Sequence, residues 1–507
     1  MNKIPIRFYL FVLAVTLFFG VCFTSADFIT MPIASLRDVA LLLAQWLVLV
    51  AALFGLMLLA SAGRYVFAAS LPLLALVCST LAYYRYTLHV TLTPMIWDAA
   101  LDNDMRTSAE LLTGGLFLFV SAALAVSAGF VYVRLKYIKS PKPLYPLALG
   151  LLLLAGFTQA DAFKRPISER IPFNVYYTAK KYWEEKQLIN EERKDLTDCL
   201  ECGEEDDLTV VFVLGESLRP DHAGLNGYAR NTTPCLEQDS VLSFPLIYTE
   251  QTYTIRSVPH LLTRADSTDY SLAYKEKSFI HLLNACGFHT VWLANQEGAG
   301  TYTYFMNECD TVFRVNIGKS PYVFDKWVDG DLLPAFQQAL QAEGKTFILL
   351  HTIGSHWWYN AHYPDAFERF QPVARSRILS SNSREEIINS YDNTVLYTDY
   401  FLHTLIDQLR ERNAILIYQS DHGESLGEEG VWLHASETPY THQAACFVWM
   451  SPTYKANHPL QYDNAVANRQ KPYRSDYLFH SLIEASGLRS PYLNPSLSIF
   501  QPGWKSE

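Results

Sequence analysis

Several short polar turns in this 507-residue sequence each close an apolar run. TVVFVLGES ends on Glu216 and Ser217, HTVWLANQ on Asn295 and Gln296, TFILLHTIGSH on His356, and AILIYQSDHGES carries Asp421, His422 and Glu424. Two carboxylates and an imidazole, Glu216, Asp421 and His422, make a mixed oxygen and nitrogen donor set of the kind that takes zinc or manganese. Such a site leaves a fourth position for a hydroxyl, and the metal lowers that group's pKa as it does for water, giving a nucleophile near neutral pH. The chemistry is then covalent catalysis. Each turn alone is ordinary loop chemistry; their shared placement singles them out. Spacing does not choose the nucleophile, since Ser217, Thr249, Thr252 and Thr254 are all candidates.

The elements that must position these residues are legible from the runs themselves. Each run is too continuously apolar for a one-sided strand, and the intervening segments, such as Arg384 to Arg412, are long enough for crossover helices. This rhythm predicts an α/β domain with a largely parallel central sheet. In such sheets ligands gather beyond the carboxyl ends of the strands. All of the polar turns fall there, so one fold brings together residues some two hundred positions apart.

The remainder of the chain is of another kind. Residues 1–163 are mostly apolar, and five stretches, at about 5–25, 38–60, 64–84, 111–134 and 143–162, reach the length of a spanning helix. Lys3, Arg7, Arg64, Arg134, Lys136, Lys139 and Lys142 lie on one side, whereas the loop from Tyr86 to Glu110 carries Asp98, Asp102, Asp104 and Glu110. The expectation is a multi-pass protein of a bacterial inner membrane with a cytoplasmic N-terminus and a periplasmic C-terminal domain. A cleaved signal peptide over the first span is the competing reading, and it too exports that domain. Residues 164–207 form a linker, whose NVYYTAKKYWEEKQLINEERKDL segment has helical spacing suited to an amphipathic helix or a solvated connector. Residues 208–507 form the catalytic domain. A net charge of −11 without any basic block excludes nucleic acid as a partner. Among the eight cysteines, Cys199 and Cys202 are expected to form a local disulfide rather than half of a zinc knuckle, because no second pair follows.

The ordered segments GESLRPDHAGLNGYARNTTP, YTIRSVP, LHTIGSH and SDHGESLGEEGVWLH resemble the phosphoethanolamine transferases, including the colistin-resistance type, within the alkaline phosphatase and sulfatase superfamily. The resemblance covers about residues 208–480, and the five-span N-terminal half agrees with that architecture. It implies an alkaline phosphatase/sulfatase-like fold and zinc, with manganese as the alternative, held by Glu216, Asp421, His422 and Thr254. Thr254 would be the nucleophile as well. His356 and His434 would bind the phosphoryl group and move protons, and Asn295 and Gln296 would lie near the donor headgroup. The implied donor is phosphatidylethanolamine and the implied acceptor a lipopolysaccharide core sugar, lipid A or another surface glycan. Transfer would run through a phosphoethanolamine-threonine.

The sequence departs from the lipid A subgroup in having Glu250 and His260 where cysteines flank the nucleophile, and Gly300 near the place of a lysine. Tyr253-Thr254-Ile255 and the Asn295-Gln296 pair resemble more the subgroup that modifies core sugars or other glycans, with lipid A still open. A lipoteichoic-acid-synthase-like glycerophosphotransferase is the enzymatic rival, and an inactive membrane-tethered glycolipid-binding protein the non-enzymatic one. Sulfate-ester hydrolysis is set aside, because no cysteine begins the Cys-x-Pro or Cys-x-Ala sequence that formylglycine needs.

Overall fold

The structure is a computed structural model describing residues 6–502, apart from 30, 32, 88–90, 95, 98–100, 102–112, 190–191, 297–299, 320–324, 377 and 435–436. Of the acidic loop after Tyr86, Asp98, Asp102, Asp104 and Glu110 lie outside the described residues. The chain divides into two compact units. The first holds residues 1–183, 317–325 and 375–381, and the second 184–316, 326–374 and 382–507.

The first unit is built on helices α1 (Ile6–Ile29), α2 (Leu36–Ser61), α3 (Arg64–Thr87), α4 (Gly114–Lys136) and α5 (Leu144–Gln159). Among the described residues, four of these, α1 to α4, are long and apolar enough to cross a membrane. The fifth expected span is helical but has only 16 residues, short of the roughly 20 that a perpendicular crossing requires. Local chemistry sets the starts. Ser35 and Asp38 form a reciprocal capping box before α2, and the Thr113 hydroxyl accepts from Leu116 N–H before α4. The expected linker helix is α6 (Phe173–Ile189).

The second unit centres on a seven-stranded sheet. Its strands are β1 (Thr209–Gly215), β2 (Leu242–Ser243), β3 (His289–Ala294), β4 (Thr311–Arg314), β5 (Thr346–His351), β6 (Ala414–Ser420) and β7 (Cys446–Met450). They lie in the order β2, β7, β6, β1, β5, β3, β4. The five from β6 to β4 are parallel, and β7 runs antiparallel to both of its neighbours, β6 and the edge strand β2. Every residue of β1 is buried, so both sheet faces are covered, which is why the strand reads as one apolar run rather than an alternation. Val210, Phe212 and Leu214 share a core with Phe279, Leu283, Phe479 and Leu482.

The register levels the strand ends. Leu214 stands beside His351 on one side and Gln419 on the other, and Ala294 stands beside His351. Glu216, Asn295 and Asp421 therefore all emerge within one or two residues of a common edge. Helix α7 (Thr254–Leu262) brings Thr254 on its first turn, and the 26-residue α8 (Arg384–Leu409), started by a Ser383 and Glu386 capping box, is the crossover preceding β6.

One expectation is overturned. Cys202 pairs with Cys286, 84 residues away, and Cys199 is free and exposed. The Cα atoms of Cys202 and Cys286 are 5.3 Å apart, within the range that a disulfide spans, and a bridge closing a long loop removes more unfolded-state entropy than one between neighbours.

Candidate metal and phosphoryl-transfer site

β1 ends in a turn that only certain residues can make. A Cβ on Gly215 would lie 2.2 Å from the Tyr418 hydroxyl, and Ser217 takes a left-handed φ of 58°. That turn aims Glu216 back across the sheet edge. Gly354, of the GSH tripeptide, lies so close that a Cβ would meet the Glu216 carbonyl oxygen at 2.9 Å, and Ser355 N–H donates to the same oxygen. The glycines of both motifs thus answer to backbone approach.

The candidate metal ligands converge on one point. His422 Nε2 lies 3.4 Å from Glu216 Oε1, from Asp421 Oδ2 and from Thr254 Oγ1. His422 Nδ1 is 2.8 Å from the Gly423 carbonyl, so the proton sits on Nδ1 and Nε2 presents a lone pair. Oxygen lone pairs facing a nitrogen lone pair repel unless a cation lies between them. Asp421 Oδ2 is buried with no hydrogen-bond partner, whereas its Oδ1 accepts from His422 and Ser217 N–H. Zinc bonds to oxygen and nitrogen of about 2.0–2.1 Å require tetrahedral ligand separations of about 3.4 Å. The side chains present fit a metal ion.

Electrostatics agree. Burial raises the Asp421 carboxyl well above its ordinary range, and the facing Glu216 charge raises it further. Burial acts on Glu216 too, but His422, His356 and His434 pull it below its usual value. Burial takes His422 down to about 4. Glu216, His422 and His434 also offer ligand atoms within 4.8 Å of one another.

Thr254 is half-buried, and its hydroxyl donates to Glu216 Oε2 at 2.8 Å. Of the other hydroxyls, Ser217 Oγ donates to Glu216 Oε1, and Thr249 Oγ1 donates to backbone carbonyls. Thr252 is buried. Among the four, Thr254 is the one whose hydroxyl approaches the His422 imidazole, at 3.4 Å.

The histidines form a row, with the His434 ring centroid 4.8 Å from His422 and 5.6 Å from His356. His434 Nδ1 donates to Glu424 Oε2 at 3.0 Å, leaving Nε2 toward the row. Burial works against a charge on His434, and Glu424 reverses this, holding its pKa at about 9. Burial lowers His356. Tyr359, which the motifs did not single out, donates to Glu424 Oε1 at 2.7 Å and fixes that carboxylate. Its only signal was the aromatic run directly after GSH.

The amide pair divides. Gln296 Nε2 donates to Glu216 Oε2 at 2.9 Å. The Asn295 side chain turns inward, donating to Asp329 Oδ1 and accepting from Trp327 and Asn316. Asp329, which no motif marked, also accepts from the Ile353 and Gly354 N–H groups, tying the GSH turn to β3, and burial raises its carboxyl to about 6.

The sulfatase family model matches residues 209–488. The phosphoethanolamine transferase EptA of Salmonella typhimurium is 32% identical over 323 residues, 59% of this chain and 57% of that protein, so the match spans little more than half of this relative's length. The Kdo(2)-lipid A phosphoethanolamine 7''-transferase of the same organism is 29% identical over 86% of this chain and 85% of its own length. The crystal structure of the C-terminal periplasmic domain of EcEptC from Escherichia coli, in complex with Zn, superposes with a TM-score of 0.56 and 25% identity, covering 62% of this chain and 92% of that one.

Proposed function

The chain belongs to the sulfatase family, and from that premise we propose that it transfers phosphoethanolamine from phosphatidylethanolamine to a bacterial surface glycolipid or glycan. The observation that carries this reading is the convergence of Glu216, Asp421 and Thr254 oxygens on the bare Nε2 of His422. The names of the EptA and Kdo(2)-lipid A relatives support the transferred group and a glycolipid acceptor, and the zinc complex of the EcEptC domain supports the metal. Residues 1–163 anchor the protein through five spans with the N-terminus cytoplasmic, 164–207 link, and 208–507 form the periplasmic catalytic domain. Arg64, Arg134, Lys136, Lys139 and Lys142 at one set of helix ends support this orientation.

Zinc, or manganese in its place, would be held by Glu216, Asp421, His422 and Thr254, and when bound it supplies Lewis acidity to the hydroxyl and offsets the carboxylate charge. Thr254 Oγ1, releasing its proton along its hydrogen bond to Glu216 Oε2, forms a bond to phosphorus as the bond to the diacylglycerol oxygen breaks. His434, whose Nδ1 is occupied by Glu424, has Nε2 placed to give the departing oxygen its proton. In the second half an acceptor hydroxyl attacks phosphorus, the bond to Thr254 breaks with Oγ1 recovering its proton from Glu216, and His356 takes the acceptor's proton. Gln296 holds Glu216 in position and faces the donor headgroup, with Asn295 setting the strand end beneath it.

The test is mass spectrometry of the purified full chain after incubation with phosphatidylethanolamine. The expected result is a phosphoethanolamine adduct on Thr254 that disappears in Thr254→Ala. A glycerophosphate adduct formed only from phosphatidylglycerol would establish the glycerophosphotransferase instead. No adduct from either lipid in zinc-loaded protein would establish the inactive binding protein.

A further inference from the structure

Arg219 follows Glu216 by three residues in GESLRPDH and is neither a metal ligand nor a proton donor. Its side chain is only 2% exposed, and a buried cation persists only where carboxylates and carbonyls answer it. Nε and Nη2 donate as a fork to the two oxygens of Asp221. Nη1 reaches the other way, donating to the Glu424 carbonyl at 3.0 Å and to Glu428 Oε1 at 2.8 Å.

Both of those acceptors belong to one short hairpin. Ser425–Leu426 pairs antiparallel with Trp432–Leu433, with Ser425 opposite Leu433, so Glu424 and His434 face each other at its open end. Glu428 lies at its tip, where its second oxygen accepts from Leu426 N–H. A ladder of two residues a side is too short to hold its own shape. Arg219 bonds to base and tip at once. Its own N–H donates to the Tyr391 hydroxyl, which donates to the Ser217 carbonyl. The backbone of Arg219 is thus fixed to the turn that aims Glu216, and its side chain to the hairpin that carries His434. Tyr359 holds the Glu424 carboxylate, whereas Arg219 holds the Glu424 main chain.

We infer that Arg219 is a positioning residue for protonation of the leaving group: by clamping the hairpin to the Glu216 turn, it fixes the direction in which His434 presents Nε2. It touches no reacting atom and acts through Glu424. The inference rests on the transferase reading, in which Thr254 Oγ1 bonds to phosphorus, the bond to the diacylglycerol oxygen breaks, and that oxygen takes its proton from His434.

The full chain, zinc-loaded in detergent, is given two donors. Phosphatidylethanolamine expels an alkoxide that needs a proton, whereas the nitrophenyl ester of phosphoethanolamine expels a nitrophenolate that leaves without one. The rate of Thr254 adduct formation is read by mass spectrometry for each, with zinc content measured alongside. In Arg219→Gln the rate with phosphatidylethanolamine is expected to fall roughly 10- to 100-fold, while the rate with the nitrophenyl ester stays within about twofold and zinc is retained. Arg219→Lys, a point charge that cannot span all three acceptors, should recover part of the loss. Glu428→Gln loosens the tip alone and should show the same selective loss to a smaller degree; it decides by the same comparison if Arg219→Gln does not fold. Equal losses with both donors, or no loss with phosphatidylethanolamine, overturn the inference and leave the transferase reading standing. No adduct from either donor in the wild type overturns the transferase reading, and the inference with it.

Discussion

Two places in the second unit gather carboxylate and histidine side chains within reach of a single ion: Glu216, His422 and His434, and Asp239, His403 and Asp407. Both mix carboxylate with imidazole, but their neighbours differ. Around Asp239, the Arg410 guanidinium bonds to both carboxylates, and His403 lies 2.7 Å from Asp239 and 3.3 Å from Asp407. Among the described residues no guanidinium pairs with Glu216, Asp421 Oδ2 has no hydrogen-bond partner, and His422 turns a lone pair toward the oxygens. Buried carboxylates are stable only when something answers their charge. A side chain answers it at Asp239, and the side chains around Glu216 fit a metal ion in that role. Residue type did not distinguish the two clusters; the surrounding cations and the histidine tautomer did.

The largest effects should separate them. Asp421→Asn and Glu216→Gln are expected to lower zinc affinity at least about 100-fold and transfer on the order of a thousandfold, read by metal analysis of the purified chain and by adduct formation. Asp239→Asn should leave zinc content unchanged. If it removes zinc, the second cluster is a metal site and the contrast fails. Its expected penalty is in stability instead, about 3 kcal/mol, because Arg410 and His403 lose their buried partner. Thermal denaturation in detergent checks it.

Much of the contrast lay outside the sequence's reach. The four apolar runs ending in Glu216, Asn295, His356 and Asp421 announced parallel strands, because a strand covered on both faces has no polar alternation to hide it. The short edge strands β2 and β4 have two and four residues, too few for any period to show. Thr254 emerged from the residues as one of several hydroxyls, since what favours it is the 3.4 Å approach to His422 across 168 positions. Asp329 was invisible for the same reason: besides the Asn295 amide, its partners are backbone N–H groups, which every sequence has. The Cys202–Cys286 bridge was misjudged because proximity along the chain was weighed where proximity in space decides.

A third buried acid shows the remaining way to answer a charge. Glu308 accepts from the Ser278 N–H and hydroxyl, and no metal cluster or close ion pair holds it among the described residues. Burial is the main influence, outweighing those hydrogen bonds and the more distant Arg193 and Lys277, and it raises the carboxyl to about 7. A proton takes the place of the metal or guanidinium. The sign follows from linkage: an unfolded chain releases this proton near 4.5, and the folded one retains it until about 7, so raising the pH through that interval favours unfolding. The stability this group allows is complete below about pH 4.5 and is lost as pH rises through 7. Over pH 5 to 8 the loss should be about 2 kcal/mol. Glu308→Gln, permanently neutral, should flatten that part of the pH profile and gain stability over wild type at pH 8 while matching it near pH 5. A variant whose pH profile parallels wild type would mean that Glu308 is ionised in the folded protein, and that its hydrogen bonds alone can answer a charge that Asp421 and Asp239 need a cation to balance.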